Sequence, residues 1–205
     1  MFQILVMLCI IIFVHELGHL IAAKLCKCGV KTFSIGFGPA LIKKQIGKTT
    51  YQIAPFLLGG YCQLEGENLF SRRKYSFCNL PYRSKLFISY AGILMNILTG
   101  LPPLLFSLFL LHSYATQPSL FISLGRFIEP LYMFGSLSLI LGLTNALPVP
   151  ALDGSYPLLY LLELGLGKRR ALAVIQYLVS RGMLFVMTLN IISLPLLYEV
   201  ITVGL

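Results

Sequence analysis

The sequence has few charged residues and no tryptophan. Of its 205 residues, 11% are charged and 57% are hydrophobic, and the mean hydropathy is +0.84. A soluble domain carries about 25% charged residues and does not repeat long apolar runs. The composition therefore excludes a soluble enzyme and indicates an integral membrane protein.

Acidic residues are especially scarce, with 7 against 16 basic residues and a net charge of +9. A basic balance of this kind also occurs in nucleic-acid-binding proteins. Here the lysines and arginines concentrate between apolar runs, as the positive-inside rule produces, and their local density suits anionic lipid headgroups. We therefore expect a lipid bilayer around the protein and no nucleic-acid partner.

The cysteines do not form a disulfide framework. They are five in number and share no repeated spacing, whereas such frameworks use even numbers at regular spacings. Cys26-x-Cys28 is a weak metal-binding pattern. The N-terminal residues also lack a basic region and a small-residue cleavage site, so we expect no cleaved signal peptide.

Four apolar runs predict four transmembrane helices, at about residues 2–24, 86–111, 127–150 and 182–203. Lysines follow the first run and no basic residue precedes it, so both termini are expected outside the cytosol. The predicted fold class is an all-α integral membrane protein, with one membrane-embedded domain over residues 1–205. A three-span arrangement with a re-entrant third run is the alternative. Between the second and third runs, residues 112–125 predict a short turn on the outer side.

Residues 30–67 contain too many glycines for a long helix and predict a small β segment beside the membrane. Short strands are expected at residues 32–35, 49–53 and 56–64. This segment is either a sheet without a chemical role or the source of an edge strand for an extended substrate peptide. In the second case, Gly59, Gly60 and Tyr61 would lie on the substrate-binding strand.

The motif His15-Glu16-Leu17-Gly18-His19 lies inside the first apolar run. His15 and His19 are four residues apart, so they share one face of a helix, where two imidazoles can bind one zinc ion. Glu16 is then placed as a general base for a water molecule. These polar groups are costly in lipid unless they bind something, so we predict a zinc site and not a solvated helix face.

The third apolar run is interrupted at residues 145–154, which contain two prolines and a glycine and cannot continue an α-helix. Unwound backbone at membrane depth occurs only where it lines a site or is buried in protein. Asp153 lies in this break with no cation nearby in sequence, which makes it the candidate third zinc ligand. Asn96, in the second run, needs a hydrogen-bonding partner. It either forms an interhelical hydrogen bond with a structural role or belongs to the active site.

In combination these motifs resemble the site-2 protease family of intramembrane zinc metalloproteases, in particular the bacterial branch with the regulator of sigma-E protease. The resemblance covers nearly the whole chain. It rests on residues 15–19, 33–39, 59–67, 91–96 and 145–154. Ile93 stands where the family often has proline, and Ser155 where it often has glycine. Many relatives carry a PDZ domain in the outer loop, and residues 112–126 leave no room for one.

The resemblance implies a zinc metalloendopeptidase that cleaves transmembrane segments of membrane proteins in regulated intramembrane proteolysis. It implies that His15, His19 and Asp153 bind Zn²⁺ and that Glu16 is the general base.

Two further residues have roles implied by the resemblance. Asn145 would position the substrate backbone, and Asn96 would do so too or would support the oxyanion. The expected partners are single-span membrane protein substrates and a separate regulatory protein that replaces the PDZ domain. The expected location is the cell inner membrane, as a multi-pass protein.

Two other classes are the alternatives: a non-catalytic zinc-binding membrane scaffold and a metal-ion transporter. Glu16 argues against the scaffold, because a structural zinc site needs no base. Transport would need polar residues at several depths across the helices, whereas this sequence confines them to one depth.

Overall fold

The computed structural model describes residues 2–67, 71, 73–114, 118–149 and 152–167, and single positions up to residue 181. The chain forms two compact units, residues 1–146 and residues 147–205. The predicted fourth span, residues 182–203, lies outside the described residues.

Three long helices dominate the first unit: α1 (Phe2–Leu25), α2 (Tyr82–Tyr114) and α3 (Pro118–Asn145). Each contains a stretch that is long and apolar enough to cross a membrane. Large apolar side chains of α2, such as Leu98 and Phe109, are 58% and 64% exposed. Exposed apolar surface of this kind suits contact with lipid. The predominantly helical class is therefore confirmed, and three of the described helices are long and apolar enough to span a membrane.

The turn between the second and third spans is shorter than the sequence predicts. We expect a turn over residues 112–125, but α2 continues to Tyr114 and α3 begins at Pro118. Proline is well tolerated in the first turn of a helix, where its missing N–H has no intrahelical partner anyway. The polar residues that follow Pro118 are therefore part of α3.

A four-stranded sheet joins α1 to α2, with strands β1 (Val30–Phe37), β2 (Ile42–Ile46), β3 (Thr49–Ile53) and β4 (Phe56–Leu64). The strand order is β2-β3-β1-β4, with β1 and β3 parallel and the other two pairs antiparallel. The strands expected at residues 32–35, 49–53 and 56–64 are present, and β2 was missed. The order places β4 at one edge of the sheet.

The sheet packs against the C-terminal half of α1, and the first turns of α2 contribute to the same buried core. Phe33 of β1 and Leu64 of β4 are buried with Leu20 and Ala23 of α1 and with Ile88 of α2. Burial of apolar side chains stabilises this contact by about 25 cal/mol per Å² removed from water. This core positions β4 and α2 against the helix that carries the histidine motif.

In the second unit, the described residues form a 3-10 turn at Asp153–Ser155 and helix α4 (Tyr156–Leu166). Leu152 is extended, and its carbonyl accepts a 2.7 Å hydrogen bond from the Ser155 hydroxyl. These contacts place Asp153 immediately before the first turn of α4.

Candidate metal centre

The two histidines of the motif lie on one face of α1 and converge. The Nε2 atoms of His15 and His19 are 3.2 Å apart, and both residues are buried, at 5% and 9% exposure. The four-residue spacing on a helix produces this proximity, since such residues are stacked one turn apart.

The outer ring nitrogens of both histidines are held by α2. His19 Nδ1 lies 2.8 Å from the Ile88 carbonyl oxygen, and His15 Nδ1 lies 3.1 Å from the side-chain amide of Asn96. A carbonyl oxygen only accepts, so His19 Nδ1 carries the hydrogen and Nε2 presents its lone pair. Histidine ligands of metals are typically oriented by such a contact on the other ring nitrogen.

Small residues bring α2 close enough to make these contacts. A Cβ atom at Gly18 of α1 would lie 2.6 Å from the Ala91 carbonyl oxygen of α2. A Cβ atom at Gly92 of α2 would overlap His19 Nε2 and lie 2.7 Å from His15 Nε2. Glycine at both positions therefore permits the close helix crossing, and Gly92 leaves open the space into which both Nε2 atoms point.

The histidine pair fits a zinc ion. With Zn–N bonds of about 2.0–2.1 Å and tetrahedral angles, two nitrogen ligands of one ion are separated by ~3.3 Å. The 3.2 Å separation of the two Nε2 atoms agrees with that value. Two buried imidazoles with oriented rings and a shared apex are a suitable donor set for zinc.

Glu16 lies next to β4. A Cβ atom added at Gly60 would be 3.0 Å from Glu16 Cγ and 2.8 Å from the Ser34 carbonyl oxygen. The edge strand thus runs past the side chain that the motif places as a base, and Gly60 permits the approach. Tyr61 stacks on Phe37 at 6.2 Å between ring centroids, and its hydroxyl accepts a hydrogen bond from Gln52.

The remaining sequence-predicted residues have these places in the fold. Gly59 lies in β4 with Phe37 packed over it, and Asn96 is fully buried in α2. Asn145 is the half-buried last residue of α3. Asp153 opens the 3-10 turn before α4, in the second unit.

Two groups that contribute to the centre are not predicted from the sequence. The Ile88 carbonyl oxygen orients His19 but belongs to the backbone, so no side-chain pattern marks it. Gly18 lies inside the motif, where the interpretation uses only the histidines and the glutamate. The spacing of Gly92, Asn96 and Gly100 does indicate a close helix contact, although it does not identify the partner helix.

A model of the family described as peptidase family M50 matches residues 3–121 and 114–189. These matches cover most of the sequence. The chain belongs to peptidase family M50. This agrees with the resemblance to the site-2 proteases, whose motifs lie within the matched ranges.

Curated relatives of this M50 chain are named as candidate zinc metalloproteases. One, from Borreliella burgdorferi, is 40% identical over 98 residues, which are 43% of this chain and 23% of that protein. Another, from Fusobacterium nucleatum, is 43% identical over 93 residues, 45% of this chain and 27% of that protein. A third, from Treponema pallidum, is 32% identical over 142 residues, 64% of this chain and 30% of that protein. The chain thus matches about a quarter of the length of these relatives.

Proposed function

We propose that this protein is an intramembrane zinc metalloendopeptidase that cleaves the transmembrane segments of other membrane proteins. The observation that carries the proposal is the buried pair of Nε2 atoms, 3.2 Å apart, within a helix apolar enough to span a membrane. Family membership and the names of the relatives support the same chemistry.

The proposed ligands are His15, His19 and Asp153. Asp153 follows the helix break after Asn145, and it is the only aspartate in the sequence. Three protein ligands leave one position open, which is the arrangement of catalytic zinc sites. When bound, zinc polarises the scissile carbonyl and lowers the pKa of water to about 7.

Glu16 is the proposed general base. It takes a proton from the attacking water onto a carboxylate oxygen and delivers it to the nitrogen of the departing amine. Its place in the motif, between the two histidines on α1, and its closeness to β4 support this role.

The edge strand β4 is the proposed substrate platform. A transmembrane helix satisfies its own backbone hydrogen bonds, so it must be extended before a peptide bond becomes accessible. Main-chain pairing with an edge strand holds a peptide extended without regard to its side chains. Gly59, Gly60 and Tyr61 lie on this strand, which approaches Glu16 at Gly60. Asn145 would hold the adjacent substrate backbone.

The proposed setting is a cell inner membrane, with four spans, both termini outside the cytosol and single-span proteins as substrates. The lysines after α1 and the basic residues before α2 support this orientation.

The first experiment measures zinc per purified chain in detergent. We expect about one zinc in the wild type and in Glu16→Gln, and at least a tenfold weaker affinity in Asp153→Ala, since one ligand in three is lost. Glu129→Gln, on an exposed position of α3, is the matched control. Wild-type protein without zinc after chelator-free purification would contradict the proposal.

Cleavage is then followed for tagged single-span proteins co-expressed with each variant. Glu16→Gln should retain zinc and lose at least about a hundredfold in cleavage rate, the scale of general-base catalysis. Cleavage by Glu16→Gln at the wild-type rate would rule out Glu16 as the base. A wild-type protein that binds zinc and cleaves none of these proteins would favour the scaffold or transporter alternatives.

A further inference from the structure

The side-chain nitrogen and oxygen atoms of Asn96 differ in their hydrogen bonding. The residue is completely buried, and its nitrogen atom, as placed, lies 3.1 Å from His15 Nδ1. Its Oδ1 atom is buried and has no hydrogen-bond partner among the residues that the structure describes. An unsatisfied carbonyl in a low-dielectric interior is costly, so this arrangement needs an explanation.

The hydrogen-bonding pattern of His15 decides which end of the amide faces it. If the amide nitrogen donates to His15 Nδ1, the ring hydrogen must be on Nε2, and that atom has no lone pair for a metal. If Oδ1 faces the ring instead, it accepts from Nδ1–H, and Nε2 presents its lone pair. A half-turn of the amide exchanges the two arrangements with no other movement, since oxygen and nitrogen have nearly the same shape.

We propose that Asn96 is a positioning residue that accepts a hydrogen bond from His15 Nδ1 through Oδ1 and thereby presents His15 Nε2 to the metal. This inference rests on the proposed zinc site. It gives the two histidines the same tautomer, with the hydrogen on Nδ1 and the lone pair on Nε2. His19 Nδ1 already donates to the carbonyl oxygen of Ile88.

The packing around Asn96 supports positioning and not substrate contact. The Ser138 hydroxyl of α3 donates a 3.0 Å hydrogen bond to the Asn96 backbone carbonyl oxygen. A Cβ atom at Gly142 of α3 would lie 3.1 Å from Asn96 Cβ. The side chain is therefore clamped between α1 and α3. With no exposed surface, it has no face for a substrate backbone or an oxyanion.

Three variants of the full chain in detergent test the proposal. Asn96→Asp keeps an oxygen acceptor at the same place and has no amide hydrogen. Asn96→Leu has a similar shape and no acceptor. Ser138→Ala removes a contact to the same residue without touching His15, so it is the matched control. Zinc affinity is measured by competition with a chelating dye, and the visible spectrum of the cobalt-loaded protein reports the ligand geometry.

We expect Asn96→Leu to bind zinc about 10- to 100-fold more weakly, the usual effect of losing an outer-shell partner. Its cobalt spectrum should change. Asn96→Asp should bind zinc within about threefold of the wild type and retain the cobalt spectrum, as should Ser138→Ala. Equal losses in the leucine and aspartate variants, or unchanged affinity in the leucine variant, would overturn the proposal.

The outcomes separate this inference from the proposed function. Wild-type protein that binds one zinc, with loss in His15→Ala and no effect of Asn96→Leu, would remove Asn96 and leave the zinc site. Wild-type protein without zinc would remove both. If Asn96→Leu does not fold, the zinc affinity of Asn96→Asp tests the proposal by itself. A tenfold loss there would show that the amide nitrogen donates, and affinity near the wild type would support acceptance by Oδ1.

Discussion

At the scale of single residues, the metal centre depends on the two histidine side chains and equally on the absence of a side chain at Gly92. His15 and His19 supply the nitrogens, and Gly92 supplies the space between them and α2. The sequence predicts the pair from its spacing alone, because the helical repeat brings such residues together. The role of Gly92 follows only from the helix crossing, which no local pattern specifies.

Gly92→Ala is expected to weaken zinc binding. The added Cβ atom would lie 2.7 Å from His15 Nε2, in the space that both Nε2 atoms face. Overpacking of this kind costs ~1–3 kcal/mol, which corresponds to about a 5- to 150-fold loss of affinity. The measurement is a zinc titration. Gly125→Ala, where a Cβ atom meets nothing within 4 Å, is the control. Wild-type affinity in Gly92→Ala would argue against a metal at this apex.

Cys28 is expected to resist alkylation. Burial raises its pKa from 9.0 to about 12, with Glu67 adding to the shift, and its exposure is 6%. The thiolate is the reactive form, so a pKa raised by about 3 units leaves roughly a thousandfold less of it at pH 8. The rate should rise about tenfold per pH unit until the pH reaches that pKa.

The test is mass spectrometry of the iodoacetamide-treated protein after tryptic digestion, because cleavage after Lys27 separates Cys28 from Cys26. Half-buried Cys26 serves as the internal reference, and unfolded protein provides the unprotected rate. Equal rates for Cys28 in folded and unfolded protein would contradict its burial.

At the scale of elements, α2 and α3 approach closely where glycines face each other. A Cβ atom at Gly135 of α3 would lie 2.7 Å from the Gly100 carbonyl oxygen and 2.8 Å from the Leu104 backbone nitrogen. Backbone atoms cannot move aside as a flexible side chain does. This crossing continues toward the metal centre through Ser138, which holds the backbone of Asn96.

Gly135→Ala is therefore expected to destabilise the helix pair by ~1–3 kcal/mol, the cost of an overpacked contact. The free energy of unfolding is measured in mixed detergent micelles. Gly125→Ala, the same substitution in the same helix with open space around it, should be neutral or slightly stabilising. Equal effects of the two substitutions would contradict a tight crossing at Gly135.

Strand β2 shows why the sheet was only partly predictable. All five of its residues are exposed, so its sequence, Ile-Lys-Lys-Gln-Ile, carries little of the burial signal that marks a strand. It forms because Gly47, at φ 61°, turns the chain back and pairs Ile46 with Thr49. A glycine in a two-residue loop between two strands is a hairpin signal, because glycine readily adopts the positive φ that such a loop requires. Gly47-Lys48 therefore carried this signal in the sequence.

At the scale of the whole molecule, the proposed ligands are far apart in the sequence, with two in α1 and one after α3. Folding must bring such ligands together, so metal binding adds to the stability of the folded state. Zinc at 100 times its dissociation constant should stabilise the protein by about 2.7 kcal/mol, and a chelator should remove that gain. Thermal unfolding in detergent measures both. His15→Ala should show neither effect, and an equal response to zinc in that variant would locate the binding elsewhere.

The sequence by itself determined the helical class, the three long apolar helices and the histidine pair. These depend on composition and on the helical repeat, which act over one or a few turns of chain. It also determined the helix break after Asn145, because the residues that follow combine two prolines with a glycine. Prolines alone do not decide this, since α2 and α3 both continue through prolines in their interiors.

Only the tertiary structure decided what surrounds those groups. The Ile88 carbonyl oxygen at His19, the amide of Asn96 at His15 and the edge position of β4 beside Glu16 all join segments distant in sequence. Such contacts depend on how closely two helices cross and on which strand lies outermost. Both are set by the packing of small residues and the order of the strands, and neither leaves a periodic signal in the chain.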